Sequence, residues 1–497
     1  MRPPLVGSSP SKSALPESAR PESARPGSAR TGSARTGSAR PTRRELLHAG
    51  AAAALGIPVL GVPALGLPVR ARRQDGAQDG GSEQEDYRAL VCVHLNGGVD
   101  GFGYALPLEA DLHAPYAAAR QDLTVARDTL VPLRPRADYG GPAIGMMPEL
   151  APLAERFHRG DLALVANVGP LVAPVSKSEY LAGSVPVPGF LFSHSDQTEQ
   201  WLVACADRLG AFGWCGQIAD RLARANGGSA LPMCLSTAGA TKMLVGRETA
   251  PYFLSTKGSE PIEALSQPRL RAAFERLLRS RDAHPMERRY GRVAREAIEI
   301  DALLADAYED APDFEGLFAP DNPLAWQLRT VARVVSVRAR LGMRRQVFFV
   351  EHEGYDTHAG QDVYLGPLLT ELAHALDAFQ TALERIGATE VVTTFTTSEF
   401  GRTLSSNGKG TDHGWGNHHL VLGGAVHGRR VHGALPELVL GGPDDIDEGR
   451  ILPTASVDQY AATLARWLGV PADDLPKVFP NLGRFPSADL GFLRGPA

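Results

Sequence analysis

The sequence predicts an α/β protein with a mostly parallel sheet and helices on both of its faces. Two observations lead there. Segments with strand character alternate along the chain with segments of helical apolar spacing, and the strand segments are continuous apolar runs. Strands that are buried on both faces have such continuous apolar sequences, whereas half-exposed strands alternate apolar and polar residues. With 43% hydrophobic and 22% charged residues among 497, the chain can form one large domain, which we expect over residues 87–497.

The predicted elements follow one another in order. The strand runs are RALVCVHL, DLALVANVG, RRQVFFVEH, EVVTTFT, HHLVLGG and LPELVLGG. Helical spacing marks MMPELAPLAERFHRG, VYLGPLLTELAHALDAFQTALERIG and TASVDQYAATLARWLGV. Residues from about 240 to 323 are mostly helical in pattern, so we expect an insertion or a lid there.

The N-terminal segment differs from the rest. Residues 1–42 include five consecutive pentapeptides of the PESAR, PGSAR or TGSAR type. They offer nothing large and apolar to bury, so we predict disorder. Residues 43–71 then begin with twin arginines and continue as a weakly apolar run broken by prolines. This run is too short and too rich in Gly and Pro for a membrane-spanning helix.

We therefore predict a twin-arginine signal peptide over residues 43–71, followed by a linker over 72–86. Cleavage after Ala64 or Ala71 would suit the preference for small residues, and an uncleaved lipid or helix anchor is the alternative. The prediction implies export by the twin-arginine machinery to the periplasm or the medium, without a stable membrane span after cleavage.

Charge and cysteine content exclude several partners. Residues 1–44 hold nine Lys or Arg and two Glu, so the whole-chain charge of −5 leaves −12 for residues 45–497. An acidic surface argues against nucleic acid or anionic lipid as a ligand. The four cysteines form no CxxC pair, which argues against a structural zinc knuckle. Cys205 and Cys215 could bridge in an oxidising compartment, and the sequence leaves this open.

Polar side chains follow three of the predicted strands. Asp100 comes after the first strand, Asp356 and His358 after VFFVEH, and Glu399 after VVTTFT. In an open α/β sheet, ligands bind at the carboxyl ends of the strands, where the loops converge. Carboxylates and imidazoles together are the ligands of zinc, manganese or iron. The sequence thus predicts a divalent metal site at this edge.

A glycine-rich segment adds further ligands. The run TSEFGRTLSSNGKGTDHGWGNHH places Asp412, His413, His418 and His419 close together. A polar surface loop is the alternative, but glycines let a backbone turn tightly enough for side chains to converge on one ion. We choose His413 as a ligand, oriented by Asp412. His418 and His419 alternate in direction on a strand, so at most one of them faces the site.

Five motifs together resemble one family. HLNGGVDGFG, SHSDQTEQW, YDTHAGQ, TSEFGR and GTDHGWGNHHLVLGGAVHGRRVHG are similar to those of domain-of-unknown-function family 1501. These are exported bacterial proteins of the alkaline-phosphatase-like superfamily, and the resemblance extends from about Tyr87 to the C-terminus. It implies an alkaline-phosphatase-like domain and a one-metal or two-metal site that acts on phosphate or sulfate esters with a Ser, Thr or modified Cys nucleophile.

The resemblance also suggests roles for single residues. Asp100 resembles the superfamily's first-strand metal aspartate, and Asp356 with His358 its Asp-and-His ligand pair, although the usual spacing is wider. Glu399 and Phe400 stand where related enzymes carry Asp and His, which puts a complete second metal site in doubt. The TDHGWGNH segment supplies either the missing ligands or the superfamily's late histidine.

The nucleophile is the least defined residue. The segment FSHSDQTEQW offers Ser193, His194, Ser195 and Thr198 just before a helix whose N–H groups could hold an anion, and Ser195 is the favoured nucleophile. Alternatively, Ser195 or Asp196 only caps that helix. Arg402 could make a bidentate contact to an anionic oxygen or, equally, orient Glu399.

The predicted function is metal-dependent hydrolysis of an anionic ester, either a small molecule or a polysaccharide. Zinc is the expected metal, with manganese or calcium as alternatives, and metal ions would activate the nucleophile and polarise the ester. A non-catalytic exported binding or scaffold protein with the same fold is the second interpretation. A peptidase or an oxidase fits less well, because no HExxH or facial triad lies within one segment.

Overall fold

The computed structural model describes residues 86–208, 210–256, 267–279 and 284–495. The predictions for residues 1–42, for the signal peptide and for all but the last residue of the linker lie outside these ranges. Among the helices of the described ranges, none combines the length and the apolar character that crossing a membrane requires.

Twelve strands lie in the described part. They are β1 (Arg88–Leu95), β2 (Leu106–Pro107), β3 (Val131–Pro132), β4 (Ile144–Met146), β5 (Leu162–Gly169), β6 (Cys234–Ser236), β7 (Tyr252–Phe253), β8 (Arg345–His352), β9 (Val392–Thr397), β10 (Asn417–Leu422), β11 (Val431–His432) and β12 (Ala455–Ser456).

The same part of the chain has eleven α-helices. They are α1 (Ala110–Arg120), α2 (Ala151–Arg159), α3 (Lys177–Ala182), α4 (His194–Val203), α5 (Trp214–Leu222), α6 (Pro268–Leu278), α7 (Pro285–Tyr308), α8 (Pro323–Ser336), α9 (Gln361–Arg385), α10 (Val457–Leu468) and α11 (Leu475–Val478).

Nine strands form one mixed sheet in the order β11-β5-β10-β9-β1-β8-β6-β7, with β12 also paired to β5. Neighbours are parallel except that β10 runs antiparallel to both β9 and β5. The carboxyl ends of the parallel strands and the amino end of β10 therefore meet at one edge. The short strands β2, β4 and β3 form a separate antiparallel sheet.

The central strand β1 shows why the strand runs are continuously apolar. Val91 and Val93 belong to a buried cluster that includes Leu372 of α9. Leu90 and Cys92 belong to the cluster on the opposite face, which holds apolar residues of α5 and α10. Because successive side chains of a strand point to opposite faces, residues 89–93 of β1 need apolar side chains on both faces. The predicted α/β fold is confirmed.

One predicted strand is wrong. Residues 435–442, all within the described ranges, contain no strand, and Val431–His432 pairs with β5 instead. Pro436 has no N–H to offer to a ladder, and Leu440 is exposed. Leu438 packs in a small buried cluster instead, so the apolar residues of this run lie outside the nine-stranded sheet.

The region expected as a helical insertion contains, in its described residues, the edge strand β7 and the helices α6 and α7. Residues 257–266 and 280–283 lie outside the described ranges. All four cysteines are described, and each is a buried free thiol, so Cys205 and Cys215 are not bridged here.

Candidate metal centre

Four segments meet at the edge where the parallel strands end. The first is the N-terminus of α4, the second and third follow β8 and β9, and the fourth is the glycine-rich turn before β10. They bring together six side chains, which we call the histidine–carboxylate cluster: His194, Asp356, His358, Glu399, Asp412 and His413.

The inner part of the cluster could hold a metal ion. Among the described residues, His194, Asp356 and His413 each offer one ligand atom, and these atoms lie within 4.8 Å of one another. Nε2 of His194 is 3.5 Å from Oδ2 of Asp356, and Nε2 of His413 is 3.6 Å from Oδ1. Two imidazoles and a carboxylate are the donor set of a zinc site with an open position.

His358 lies at the exposed rim of this group. Its Nε2 is 3.3 Å from Oδ1 of Asp356 and 2.7 Å from Nε2 of His413. It is therefore placed to act as a fourth ligand or to exchange protons with the solvent.

The hydrogen bonds of the three histidines fix their tautomers. Nδ1 of His194 lies 2.8 Å from Oε1 of Glu399, Nδ1 of His358 lies 2.8 Å from Oδ1 of Asp412, and Nδ1 of His413 lies 2.7 Å from the carbonyl oxygen of Phe192. Ionised carboxylates and carbonyls only accept hydrogen bonds, so each Nδ1 must carry a proton. Each Nε2 is then free to bind a cation, as in metal sites whose histidines donate to a carboxylate or a carbonyl.

Charges around the cluster support this assignment. Burial acts to raise the pKa of Glu399, but the hydrogen bond with His194 and the other polar contacts bring that pKa below its usual value. The same bond raises the pKa of His194. Burial opposes ionisation of Asp412 too, and hydrogen bonds from Asn407 and His358 lower its pKa. Both carboxylates are thus ionised and act as acceptors at neutral pH.

Arg402 is buried behind the cluster and contacts the loops that carry it, so its guanidinium does not face a site open to a ligand. Its guanidinium is fully buried and donates to the carbonyl oxygens of Gly97, Gly98, Tyr355 and Thr411 and to Oδ1 of Asp356. The side chain holds Asp356 and two loops in place. This differs from the expected contact with a substrate oxygen, and also from the expected pairing with Glu399.

Asp100 is not part of the cluster. Asp100 is 5% exposed, and its carboxylate accepts from both terminal nitrogens of Arg120, at 2.5 and 2.9 Å, and from Nε2 of Gln361 at 2.7 Å. These contacts neutralise the charge and occupy both oxygens. The expected first-strand ligand is therefore a buried structural ion pair.

His418 and His419 also lie elsewhere. Nδ1 of His418 accepts from the backbone N–H of Asn167 at 3.0 Å, and burial lowers the pKa of His418 to about 4. His419 packs edge-on against Trp201, and burial lowers its pKa to about 3. Both are neutral core residues of β10. His418 was expected to be a metal ligand, but its side chain does not join the histidine–carboxylate cluster.

The SHSD segment contributes a histidine to the cluster. Ser193 is the N-cap of α4 and accepts from the N–H of Asp196. Ser195 is exposed, with its Oγ 3.2 Å from Oγ of Ser193 and 3.3 Å from Asp196. His194, between the two serines, is the residue that sequence reasoning overlooked. The sequence shows His194 among polar residues at the start of a helix, but it gives no sign that this helix begins beside Glu399.

Comparison with known proteins identifies a family. The family described as "Protein of unknown function (DUF1501)" matches residues 143–464. No curated protein matches the sequence.

Solved structures resemble the chain weakly. They include the 2-O GAG sulfatase BT1596, with 10% identity over 79% of this chain and 74% of that one and a TM-score of 0.30. The lipoteichoic acid synthase LtaP from Listeria monocytogenes has 8% identity, covers 78% and 73%, and has a TM-score of 0.32. The C-terminal periplasmic domain of EptC from Escherichia coli, in complex with Zn, has 10% identity, covers 82% and 87%, and has a TM-score of 0.31.

Proposed function

The chain belongs to the DUF1501 family of proteins of unknown function, and we propose that it is an exported, metal-dependent hydrolase of phosphate or sulfate esters. The observation that carries the proposal is the contact between His358 and His413. Both rings carry their proton on Nδ1, yet their Nε2 atoms lie 2.7 Å apart. Two lone pairs at this distance repel each other unless both face one cation, either a proton shared between them or a metal ion beside the pair.

The residues present fit one divalent ion. His194, Asp356 and His413 would hold it, with His358 as a further donor, and zinc suits this mixture of nitrogen and oxygen ligands. Phe400 is buried against His194 and His413, with ring centroids 4.9 and 4.5 Å away. A ring without ligand atoms occupies that side of the cluster, which favours one metal ion over two.

The bound ion would supply electrophilic activation of the ester oxygen and of the attacking oxygen. The chain itself supplies orientation. Glu399 fixes the ring of His194, Arg402 fixes Asp356, and Asp412 fixes the exposed His358. If His194, Asp356 and His413 alone held the ion, Nε2 of His358 would stay free to take the proton of the attacking hydroxyl and to return it to the leaving oxygen.

We keep Ser195 as the proposed nucleophile. It is exposed, it follows the candidate ligand His194 in the chain, and it lies in the first turn of α4. Unpaired N–H groups of a helix N-terminus favour the negative charge of a phosphoryl or sulfuryl group. The anionic ester, small or polymeric, would meet this site after twin-arginine export.

A specific contact favours the second candidate, a non-catalytic binding protein. Within the described residues, the hydrogen bonds of the Ser195 hydroxyl go to Ser193 and Asp196 and to no member of the cluster. A protein that retained the fold and the metal but lacked a nucleophile would have this arrangement.

The test is metal content followed by turnover. Protein purified without added chelator should contain about one zinc per chain, and it should cleave aryl phosphate or aryl sulfate esters. Removal of the metal by a chelator should abolish cleavage, and zinc should restore it. Bound zinc without any ester cleavage would support the binding protein. Absence of both zinc and cleavage, also with manganese or calcium added, would refute the metal centre.

A further inference from the structure

We infer that Gln197 is a positioning residue for the metal centre, because it fixes the backbone turn that orients His413. The functional part of this inference rests on the proposed function, since it treats His413 as a metal ligand. The positioning itself can be tested without metal.

Gln197 is completely buried in the first turns of α4. Its Oε1 accepts the backbone N–H of Phe192 at 2.5 Å. Its Nε2 is also buried and has no hydrogen-bond partner among the residues that the structure describes. A buried, unpaired amide nitrogen destabilises the folded state, so an apolar side chain of the same size would cost less. The bond to Phe192 is the one feature that a glutamine adds here.

Phe192 needs this bond because of its backbone conformation. Its φ is +69°, in the left-handed region, which bulky residues rarely adopt. Phe192 directly precedes the N-cap of α4, and Gln197 is the fourth helical residue. In many helices an apolar pair at these two positions fixes the entry of the chain. Here a hydrogen bond does so, and it fixes the turn in a strained form.

The strained turn presents the Phe192 carbonyl to His413. Nδ1 of His413 donates to that oxygen at 2.7 Å, and the other ring nitrogen then faces Asp356 at 3.6 Å. The guanidinium of Arg450 lies 4.7 Å from the centre of the Phe192 ring, and this cation–π contact also stabilises the turn. If Phe192 relaxed to negative φ, its carbonyl would turn away, and both the rotation and the tautomer of His413 would lose their constraint.

The variant that tests this is Gln197→Met, which keeps length and loses the acceptor. Gln346→Met is a matched control. Gln346 is also fully buried, its Oε1 accepts from the hydroxyl of Tyr87 at 2.6 Å, and its Nε2 likewise lacks a partner in the described ranges. It lies in β8, near the start of the strand, whereas the cluster lies beyond the end of that strand.

Zinc affinity is measured by competition with a chromogenic chelator. Loss of an orienting partner typically weakens metal binding 10-fold to 100-fold, and we expect a loss in that range for Gln197→Met and wild-type affinity for Gln346→Met. The cobalt-substituted Gln197→Met protein should also show an altered visible spectrum. Equal zinc affinity in Gln197→Met and wild type would overturn the functional part of the inference.

A metal-free readout separates this inference from the proposed function. In metal-free protein with ¹⁵N-labelled histidine, the ring of His413, assigned with a His413→Gln variant, should carry its proton on Nδ1. Gln197→Met should lose this single tautomer. If it does so while wild type binds no zinc, the proposed function fails and the positioning role stands. A His413 tautomer unchanged in Gln197→Met overturns the positioning role.

A second protein, the Phe192→Gly variant, serves for the case in which Gln197→Met alone folds poorly. Glycine adopts positive φ without support, so Phe192→Gly should keep the turn and the carbonyl. Adding Gln197→Met to Phe192→Gly should then change zinc affinity less than it does in wild type. An equal loss in both backgrounds would show that Gln197 acts through other contacts and would overturn the inference.

Discussion

His194 and Glu399 lie 205 residues apart in the chain and share a hydrogen bond of 2.8 Å. Glu399 is completely buried and also accepts from the backbone N–H of Gly97, whereas His194 is partly exposed. The carboxylate is therefore held in one position beyond the end of β9, and its hydrogen bond sets the orientation of the His194 ring on α4.

Replacing His194 by alanine should remove a direct ligand. We expect zinc affinity to fall by more than the 10-fold to 100-fold typical of an orienting partner, measured by chelator competition. His158→Ala is the control, because His158 is a partly exposed helix residue beside Glu155. Unchanged zinc binding in His194→Ala would exclude His194 from the metal centre.

Glu399→Gln should weaken zinc binding without removing a ligand. Glutamine can still accept from Nδ1 of His194, but it lacks the charge that makes the imidazole a stronger donor, so a loss of about 10-fold is expected. Titration calorimetry with zinc measures it. An affinity equal to that of the wild type would mean that the carboxylate serves the fold alone.

Ser195→Ala distinguishes the nucleophile from the helix cap. The N-cap is Ser193, so removal of the Ser195 hydroxyl should leave thermal stability and zinc content unchanged. Ester turnover should fall at least about 100-fold if Ser195 attacks the substrate. Turnover close to wild type would assign the attack to a water molecule or to another group.

Asp458 should make the fold sensitive to pH. Neither carboxylate oxygen has a hydrogen-bond partner of good geometry among the described residues, and burial raises the pKa of Asp458 to about 8. The unfolded chain loses this proton near pH 4, but the folded protein keeps it up to about pH 8. The free energy of unfolding therefore decreases as the pH rises between these values and levels off above them.

Asp458→Asn removes the ionisable group and with it this pH-dependent loss of stability. The variant should therefore become more stable than the wild type as the pH rises. One pKa unit corresponds to about 1.4 kcal/mol, and we expect an advantage of several kcal/mol at pH 8 and a small one at pH 4.5. Urea unfolding of the metal-free proteins at both pH values measures the difference. If the difference in free energy of unfolding between variant and wild type did not change with pH, Asp458 would ionise normally in the folded protein.

Export is tested on the full-length precursor. The twin arginines Arg43 and Arg44 precede a weakly apolar run, and their replacement by two lysines should leave the precursor in the cytoplasm. Cell fractionation and detection of the mature form measure the outcome. Normal export of the double-lysine variant would contradict the twin-arginine assignment.

Much of the fold could be predicted because β1, β5, β8 and β9 are buried along most of their length, and β1, β5 and β8 each contain a run of consecutive apolar residues. The run at 435–442 is also rich in apolar residues and misled the prediction. Apolar content does not reveal whether the backbone has a neighbouring strand with which to pair.

The grouping of these polar side chains was predicted in part. Asp356, His358 and Glu399 come together because they follow strands that end at one edge of the sheet. Asp100 follows β1 in the same way, but Arg120 approaches it from α1 and neutralises it. No spacing rule reveals that contact. His194 was missed because it follows a loop and not a strand, and only the folded chain shows that α4 begins beside Glu399.

The reversed direction of β10 has a consequence for how this site can change. Residues 398–416 leave the sheet at the end of β9 and re-enter it at the start of β10, on the same side of the molecule. The segment that carries Asp412 and His413 is thus a hairpin excursion that never crosses the sheet. Its tip, near Gly408, is exposed and can change in length without rethreading any strand, so this edge of the molecule can vary while the sheet remains the same.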